Sequence, residues 1–232
     1  MKDSVLYYSV GPLLYCPADH TGIVASLIRE RFGTRYSLAL CLEDTIADDH
    51  VEAAERQLAF TLETLQKAAS EKPFFLPKLF VRVRNPQQIP RLLDRLKGAS
   101  FLLTGFILPK FSVENAAAYM DAVLRANQNA KEPLYLMPIL EDPALVDLRT
   151  RHELLYHLKD LLAPMQELVL NIRVGGNDLC HVFGFRRGPA ESIHSLAAIS
   201  GIFSDIITVF GTDYVVSGPV WEYYSGKHWK KG

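Results

Sequence analysis

Gly11-Pro-Leu-Leu-Tyr-Cys-Pro-Ala-Asp-His20 is the first strand-sized stretch of the sequence, and the way it ends decides the fold. Gly11 to Cys16 is short and nearly all apolar, as expected of a strand buried on both faces. A doubly wound sheet gathers its ligand at one crevice, often on a glycine-rich turn after the first strand. Here the strand runs into Cys-Pro-Ala-Asp-His, with no G-x-G-x-x-G.

Six similar runs follow: Tyr36–Leu42, Leu79–Val83, Phe101–Leu108, Leu134–Leu140, Glu167–Ile172 and Asp213–Ser217. Helical patterns lie between them. His50 to Ala69 places Val51, Ala54, Leu58, Leu62 and Leu65 on one face. Val113–Asn127 and Ala144–Leu162 read the same way, with Pro143 suited to a first turn. Asp48 and Asp142 read as helix caps. Strands alternating with helices mean βαβ crossovers and a parallel sheet, and either a doubly wound sheet or a barrel accommodates them. The strand ends separate the two. Asp19-His20, Glu43-Asp44, Arg82 with Arg84, Lys110, Glu141-Asp142, Asn177-Asp178 and Ser217 put a polar group at almost every one. Chemistry spread around all the C-terminal strand ends is the habit of a barrel. No linker-like or low-complexity segment divides the chain, so residues 1–232 are expected to form one (β/α) barrel domain.

Composition narrows the function. The apolar fraction is 49% and the charged fraction 22%, which excludes a disordered chain. The net charge is −1, without the basic excess of a dedicated nucleic-acid binder. No apolar run is long enough to span a membrane, and Met1–Val10 does not read as a signal peptide. Cys16, Cys41 and Cys180 are odd in number and widely spread, which points to a reducing, cytoplasmic setting.

The acids at the strand ends suggest a metal. Hard divalent cations such as Mg²⁺ take one or two carboxylates plus waters and substrate oxygens. Glu141 and Asp178 end successive strands, and neighbouring strands lie ~4.8 Å apart, so both carboxylates can share one ion. Asp44 is placed to hold a metal-bound water across the mouth. Arg82 and Arg84 share a strand face while Val81 and Val83 take the other. Two arginines on an apolar strand need anions. One is expected to pair with Glu43 or Asp44 and the other to face substrate. Lys110 fits either a substrate anion or Glu141. Gly175 and Gly176 permit close backbone approach, which suits a turn that aims Asp178 into a site. The histidines lack zinc-site spacing, and Ser217 lacks a G-x-S-x-G setting. The aromatic and basic tail, Trp221 to Lys231, reads as packing surface.

In this order the pieces resemble the citrate lyase beta subunit and HpcH/HpaI aldolase superfamily. The matching stretches are Leu42-Glu-Asp-Thr-Ile46, Val81-Arg-Val83, Ile107-Leu-Pro-Lys110, Pro138-Ile-Leu-Glu141 and Gly176-Asn-Asp-Leu179. Leu14-Tyr-Cys-Pro-Ala18, Cys41–Ile46 and Val216-Ser-Gly-Pro-Val-Trp-Glu222 resemble its C–C bond lyase branch, associated with tellurium-resistance gene clusters. The resemblance implies a TIM-type (β/α)8 barrel and a lyase that uses Mg²⁺, or Mn²⁺ in its place. Glu141 and Asp178 would be the metal ligands. Arg82 would bind the substrate carboxylate or enolate oxygen, and Asp44 with Glu43 would hold metal-bound water. Arg84, Lys110, Gly175 and Gly176 would complete the substrate site. The reaction implied is retro-aldol or retro-Claisen cleavage of a small hydroxy- or keto-carboxylate. A non-catalytic or partner-dependent subunit, or a pyruvate- or phosphoenolpyruvate-utilising barrel, is the alternative.

The sequence departs from that family twice. Its eighth-strand stretch, G-K-x-x-I-H-P-x-Q, has no counterpart here, which implies a barrel lacking its eighth strand–helix unit. The exposed sheet edges would then favour a homo-oligomer. Relatives that use coenzyme A carry a basic residue before the first strand. Tyr8-Ser-Val-Gly-Pro-Leu-Leu14 has none, which counts against a coenzyme A thioester.

Overall fold

A computed structural model of the chain describes residues 4–128, 130–188 and 191–219. Seven parallel strands form one sheet in the order of the sequence. They are β1 (Leu13–Pro17), β2 (Ser37–Cys41), β3 (Lys78–Arg82), β4 (Leu103–Leu108), β5 (Tyr135–Leu140), β6 (Ile172–Val174) and β7 (Val216–Ser217). The helices are α1 (Val5–Tyr8), α2 (Ile23–Ile28), α3 (Val51–Glu71), α4 (Gln88–Leu96), α5 (Val113–Gln128), α6 (Arg151–Leu162), α7 (Gly176–Val182) and α8 (Ala197–Phe210). This is the α/β TIM-type arrangement, in which seven strands are found among the described residues. The aromatic tail lies outside them.

Alternation along the strands divides the apolar residues into two clusters. Leu38, Leu40, Leu79, Val81 and Leu108 face outward to the helices, where α3 supplies Ala54, Leu58, Leu62 and Leu65. Ala39, Phe80, Ile107, Met137, Ile139 and Leu170 face inward and fill the curled sheet. Val10 joins this inner cluster, and Leu6 and Tyr7 of α1 pack against it. Ser37 ties the segment down, its hydroxyl donating to the Val10 carbonyl at 2.6 Å. The inner space is thus floored by apolar residues at the N-terminal end of the strands.

Two elements differ from the sequence expectation. The helix expected over 144–162 is broken. Asp142 accepts from the Ala144 N–H, so it caps only the single 3-10 turn Pro143–Val146. Asp147 then accepts from the Arg149 backbone and side chain, a local bond that competes with helix continuation. The chain re-enters helix at Arg151, whose guanidinium is fixed by the Leu145 carbonyl and Asp205. The sixth strand sits later than Glu167–Ile172. Residues Ala163–Leu168 form 3-10 turns, Val169 makes one isolated bridge to Leu136, and the strand is Ile172–Val174. Leu168, Val169 and Leu170 are as apolar as Ile172, so the pattern alone does not mark where the strand starts.

Candidate functional site

The C-terminal strand ends enclose a cavity of about 250 Å³, lined by Tyr15, Cys41, Asp44, Arg82, Glu141, Arg173 and the Gly175–Asp178 turn, among others. A larger groove, about 500 Å³, lies on the outside between α4 and α5, away from the strand ends.

Arg82, the last residue of β3, turns inward because it lies two positions beyond Phe80. Its guanidinium lies 2.7 Å from Glu43, 2.8 Å from Asp44 and 3.6 Å from Glu141. Its Nε is buried and makes no hydrogen bond. Both nitrogen arms are therefore engaged by acids of the chain itself. The buried charges push the Arg82 pKa up, against the desolvation that lowers it. Burial and the bond to Asp44 raise Glu43, whereas Asp44 falls below its ordinary value. Desolvation opposes that fall, but the hydrogen bond from Glu43 and the Arg82 charge outweigh it. Glu43 also accepts from the Lys110 ammonium at 2.8 Å and from the Asp44 N–H.

Lys110 has two roles that its sequence position did not separate. Its ammonium goes to Glu43, and its backbone N–H donates to Glu141 Oε1 at 2.8 Å. It holds a positive φ of 49°, a conformation a non-glycine residue keeps only where its surroundings fix it. Glu141 itself is 3% exposed. Its pKa is raised, first by desolvation and then by the negative charge of Asp178. Asp178 enters from the first turn of α7, just after β6. Gly175 lets the two approach: a Cβ there would collide with the Glu141 carboxylate. A Cβ on Gly176 would press on Ile193, Phe203 and Pro219. Neither glycine has a positive φ, so close approach explains both.

The two neighbouring carboxylates fit a hard divalent cation. The negative charge of Asp178 raises the cost of charging Glu141, and a cation removes that cost. Among the described residues no cluster of three or more His, Cys, Asp or Glu side chains could hold a metal. Glu141 and Asp178 would supply two carboxylates, the number Mg²⁺ commonly takes, with water and substrate oxygens for the rest.

Arg84 is placed differently from the expectation that it shares the substrate face with Arg82. It lies beyond β3, and its Nη1 donates to the carbonyls of Leu42, Glu43 and Ile46. Its Nη2 pairs with Asp48. Asp48 therefore acts as its counter-ion, and makes no side-chain cap. The arginine clips the turn that carries Glu43 and Asp44.

Acids and arginines on C-terminal strand ends of a parallel barrel define the arrangement, and the sequence comparison agrees with it. Residues 4–231 match the C–C bond lyase family of the TIM-barrel fold. The chain belongs to that family. No curated protein matches it significantly. Solved structures similar to this C–C bond lyase include the citrate lyase beta subunit of M. tuberculosis complexed with oxaloacetate and magnesium. That pair has 16% identity and a TM-score of 0.57, over 93% of this chain and 81% of that one. A citrate lyase from Burkholderia xenovorans is 15% identical, TM-score 0.66, over 90% and 63%. The Haloferax volcanii malate synthase magnesium/glyoxylate complex is 12% identical, TM-score 0.65, over 91% and 64%. At these identities the likeness speaks for the fold.

Sequence reasoning passed over Arg173, Tyr15 and Cys41 of this lyase. Arg173 sits inside the cavity with its guanidinium carbon 5.7 Å from the centre of the Tyr15 ring. Ile172-Arg173-Val174 carries the same signal as Val81-Arg82-Val83, an arginine set in an apolar strand. Placing the strand at 167–172 left it outside.

Proposed function

We propose that this C–C bond lyase is Mg²⁺-dependent and cleaves a small hydroxy- or keto-carboxylate by a retro-aldol or retro-Claisen reaction. The observation that carries the reading is the buried Glu141 carboxylate held beside Asp178 on the wall of the strand-end cavity. Glu141 and Asp178 would hold the ion. When bound, it supplies Lewis-acid polarisation of a substrate carbonyl. Breaking the bond leaves its electron pair as an enolate, and the rate depends on fixed charge placed to receive it. Arg82 contributes that positive potential from the cavity wall. Asp44, half exposed at the rim, accepts hydrogen bonds from water or substrate. Glu43 and Lys110 face each other behind this wall and fix Arg82 and Glu141 in position.

Magnesium in the similar citrate lyase beta subunit and malate synthase complexes supports the choice of ion. Three buried cysteines, Cys16, Cys41 and Cys180, form no disulfide among the described residues, which supports a cytoplasmic setting. The edges that β1 and β7 present in the described sheet support a homo-oligomer, which sedimentation would reveal.

Calorimetric titration of Mg²⁺, with and without oxaloacetate, tests the reading on wild type and Asp178→Ala. Wild type is expected to bind the ion and the variant to lose it. Equal binding by both would overturn the metal site.

A further inference from the structure

An enolate left by C–C cleavage must take a proton at carbon before the product is complete. Among the described residues that line the cavity, Glu141 and Asp178 would hold the ion, and Asp44 is paired with Arg82. The O–H and S–H groups that remain belong to Tyr15, Cys41 and Thr45. Cys41 is 1% exposed, and the Thr45 hydroxyl donates to the Cys41 carbonyl at 3.5 Å. Tyr15 is partly exposed. It lies in register with Ala39 of β2, and its ring packs against the inner apolar cluster.

The surroundings of the phenol set it apart. Arg82 and Arg151, the other buried arginines among the described residues, pair with acids. Arg173 goes to Tyr15 instead, its guanidinium carbon 5.7 Å from the ring centre, with a side-chain hydrogen bond between the two. Three charged or titratable groups face this phenol: Arg173 from β6, Arg82 from β3 and Cys41 from β2. Burial raises the Tyr15 pKa above its ordinary value, and the two arginines oppose that rise without cancelling it. The proton is therefore in place at neutral pH. A buried guanidinium that faces a neutral oxygen has its desolvation uncompensated. Once the phenol gives up its proton, the two form a charge-assisted pair. Fixed positive charge thus waits where the phenolate appears.

We propose that Tyr15 is the proton donor of this lyase: its hydroxyl protonates the enolate carbon after C–C cleavage, and Arg173 is the positioning residue that holds the resulting phenolate. The electron pair released from the C–C bond forms the new C–H bond. The O–H pair stays on the Tyr15 oxygen. In the retro-aldol case the hydroxyl proton of the substrate leaves to water at the mouth, and a water proton restores the phenol, so protons balance. This rests on the proposed enolate-forming reading and names the acid of the same cavity.

Run in reverse, the same step removes a methyl proton from a keto acid. The test is exchange of the methyl protons of pyruvate in D₂O with Mg²⁺, followed by proton NMR across pH. It compares wild type, Tyr15→Phe, Cys41→Ala, Arg173→Met and Arg173→Lys. Wild type is expected to exchange them. Tyr15→Phe keeps the ring and should slow exchange at least about 100-fold, the lower end for a general acid–base group. Its Mg²⁺ and pyruvate binding by calorimetry, and its thermal unfolding, should stay at the wild-type values. Arg173→Met should move the pH dependence of exchange to higher pH, because the phenolate loses its partner. Arg173→Lys should restore part of that shift, since it keeps the charge without the planar fork. Loss of exchange in Cys41→Ala with Tyr15→Phe unaffected would overturn the proposal. So would loss of pyruvate binding in Tyr15→Phe, which would make the hydroxyl a substrate contact. Equal exchange by wild type and Tyr15→Phe would sink Tyr15 and leave the enolate reading standing. A wild type that exchanges nothing would sink both.

Discussion

Two rungs of the same barrel interior do opposite work. On the lower one, Ala39 and Phe80 lie in register and pack within an apolar cluster that includes Met137 and Leu170. Two residues further along β2 and β3 stand Cys41 and Arg82, and beyond Ile139 on β5 stands Glu141. Nothing but position along the strand separates the two sets. Apolar burial below stabilises the fold, while desolvated charge above costs free energy unless every group has a partner. The comparison teaches that the charged mouth is carried on a buried apolar layer, which places its side chains by packing beneath them.

Substitutions can break that contrast. The largest effect is expected for Arg82→Ala, which leaves Glu43, Asp44 and Glu141 facing one another without their shared counter-ion. Removing one partner of such a buried pair costs about 3–5 kcal/mol, readable by urea denaturation. Turnover should fall at least 100-fold in addition, as for a lost charge-stabilising donor. Phe80→Ala comes next, at about 3–5 kcal/mol for a large buried aromatic truncated to methyl. The Mg²⁺ affinity of the folded fraction should stay at the wild-type value. If that affinity fell with stability, the two rungs would be coupled and the contrast false.

Gly175→Ala sharpens the comparison from the other side. Its methyl enters the space of the Glu141 carboxylate, so overpacking of about 1–3 kcal/mol is expected. Mg²⁺ binding by calorimetry should be lost with it, although no charge has been changed. The smallest effect is expected for Arg84→Ala. Three carbonyls lose a donor there, but the group is partly exposed and water replaces it, so about 1–2 kcal/mol is expected. The oxaloacetate affinity should change little, which would place Arg84 in the frame of the site and outside its chemistry.

The parallel order of the strands was readable from alternating apolar runs, and the barrel from polar groups at nearly every strand end. Both signals are local and repeat along the chain. Arg82 was legible for the same reason, as a charge stranded in an apolar run. Arg84 was misassigned because period-two alternation was carried past the end of β3, where the chain has already turned. Arg173 was missed through a boundary error. Leu168, Val169 and Leu170 are as apolar as Ile172, and nothing in them marks Val169 as an isolated bridge or Ile172 as the true start. The partners of Lys110 could not be read either, since they depend on a left-handed backbone that no residue type announces.

The apolar floor laid by Val10, Leu6 and Tyr7 makes the inner space a blind well. A bond-breaking enzyme yields two fragments, and in a blind well they depart in turn. The fragment seated deeper leaves second and meets the empty protein. Product-inhibition kinetics should therefore show that fragment competing with substrate, while the fragment nearer the mouth inhibits in a noncompetitive pattern.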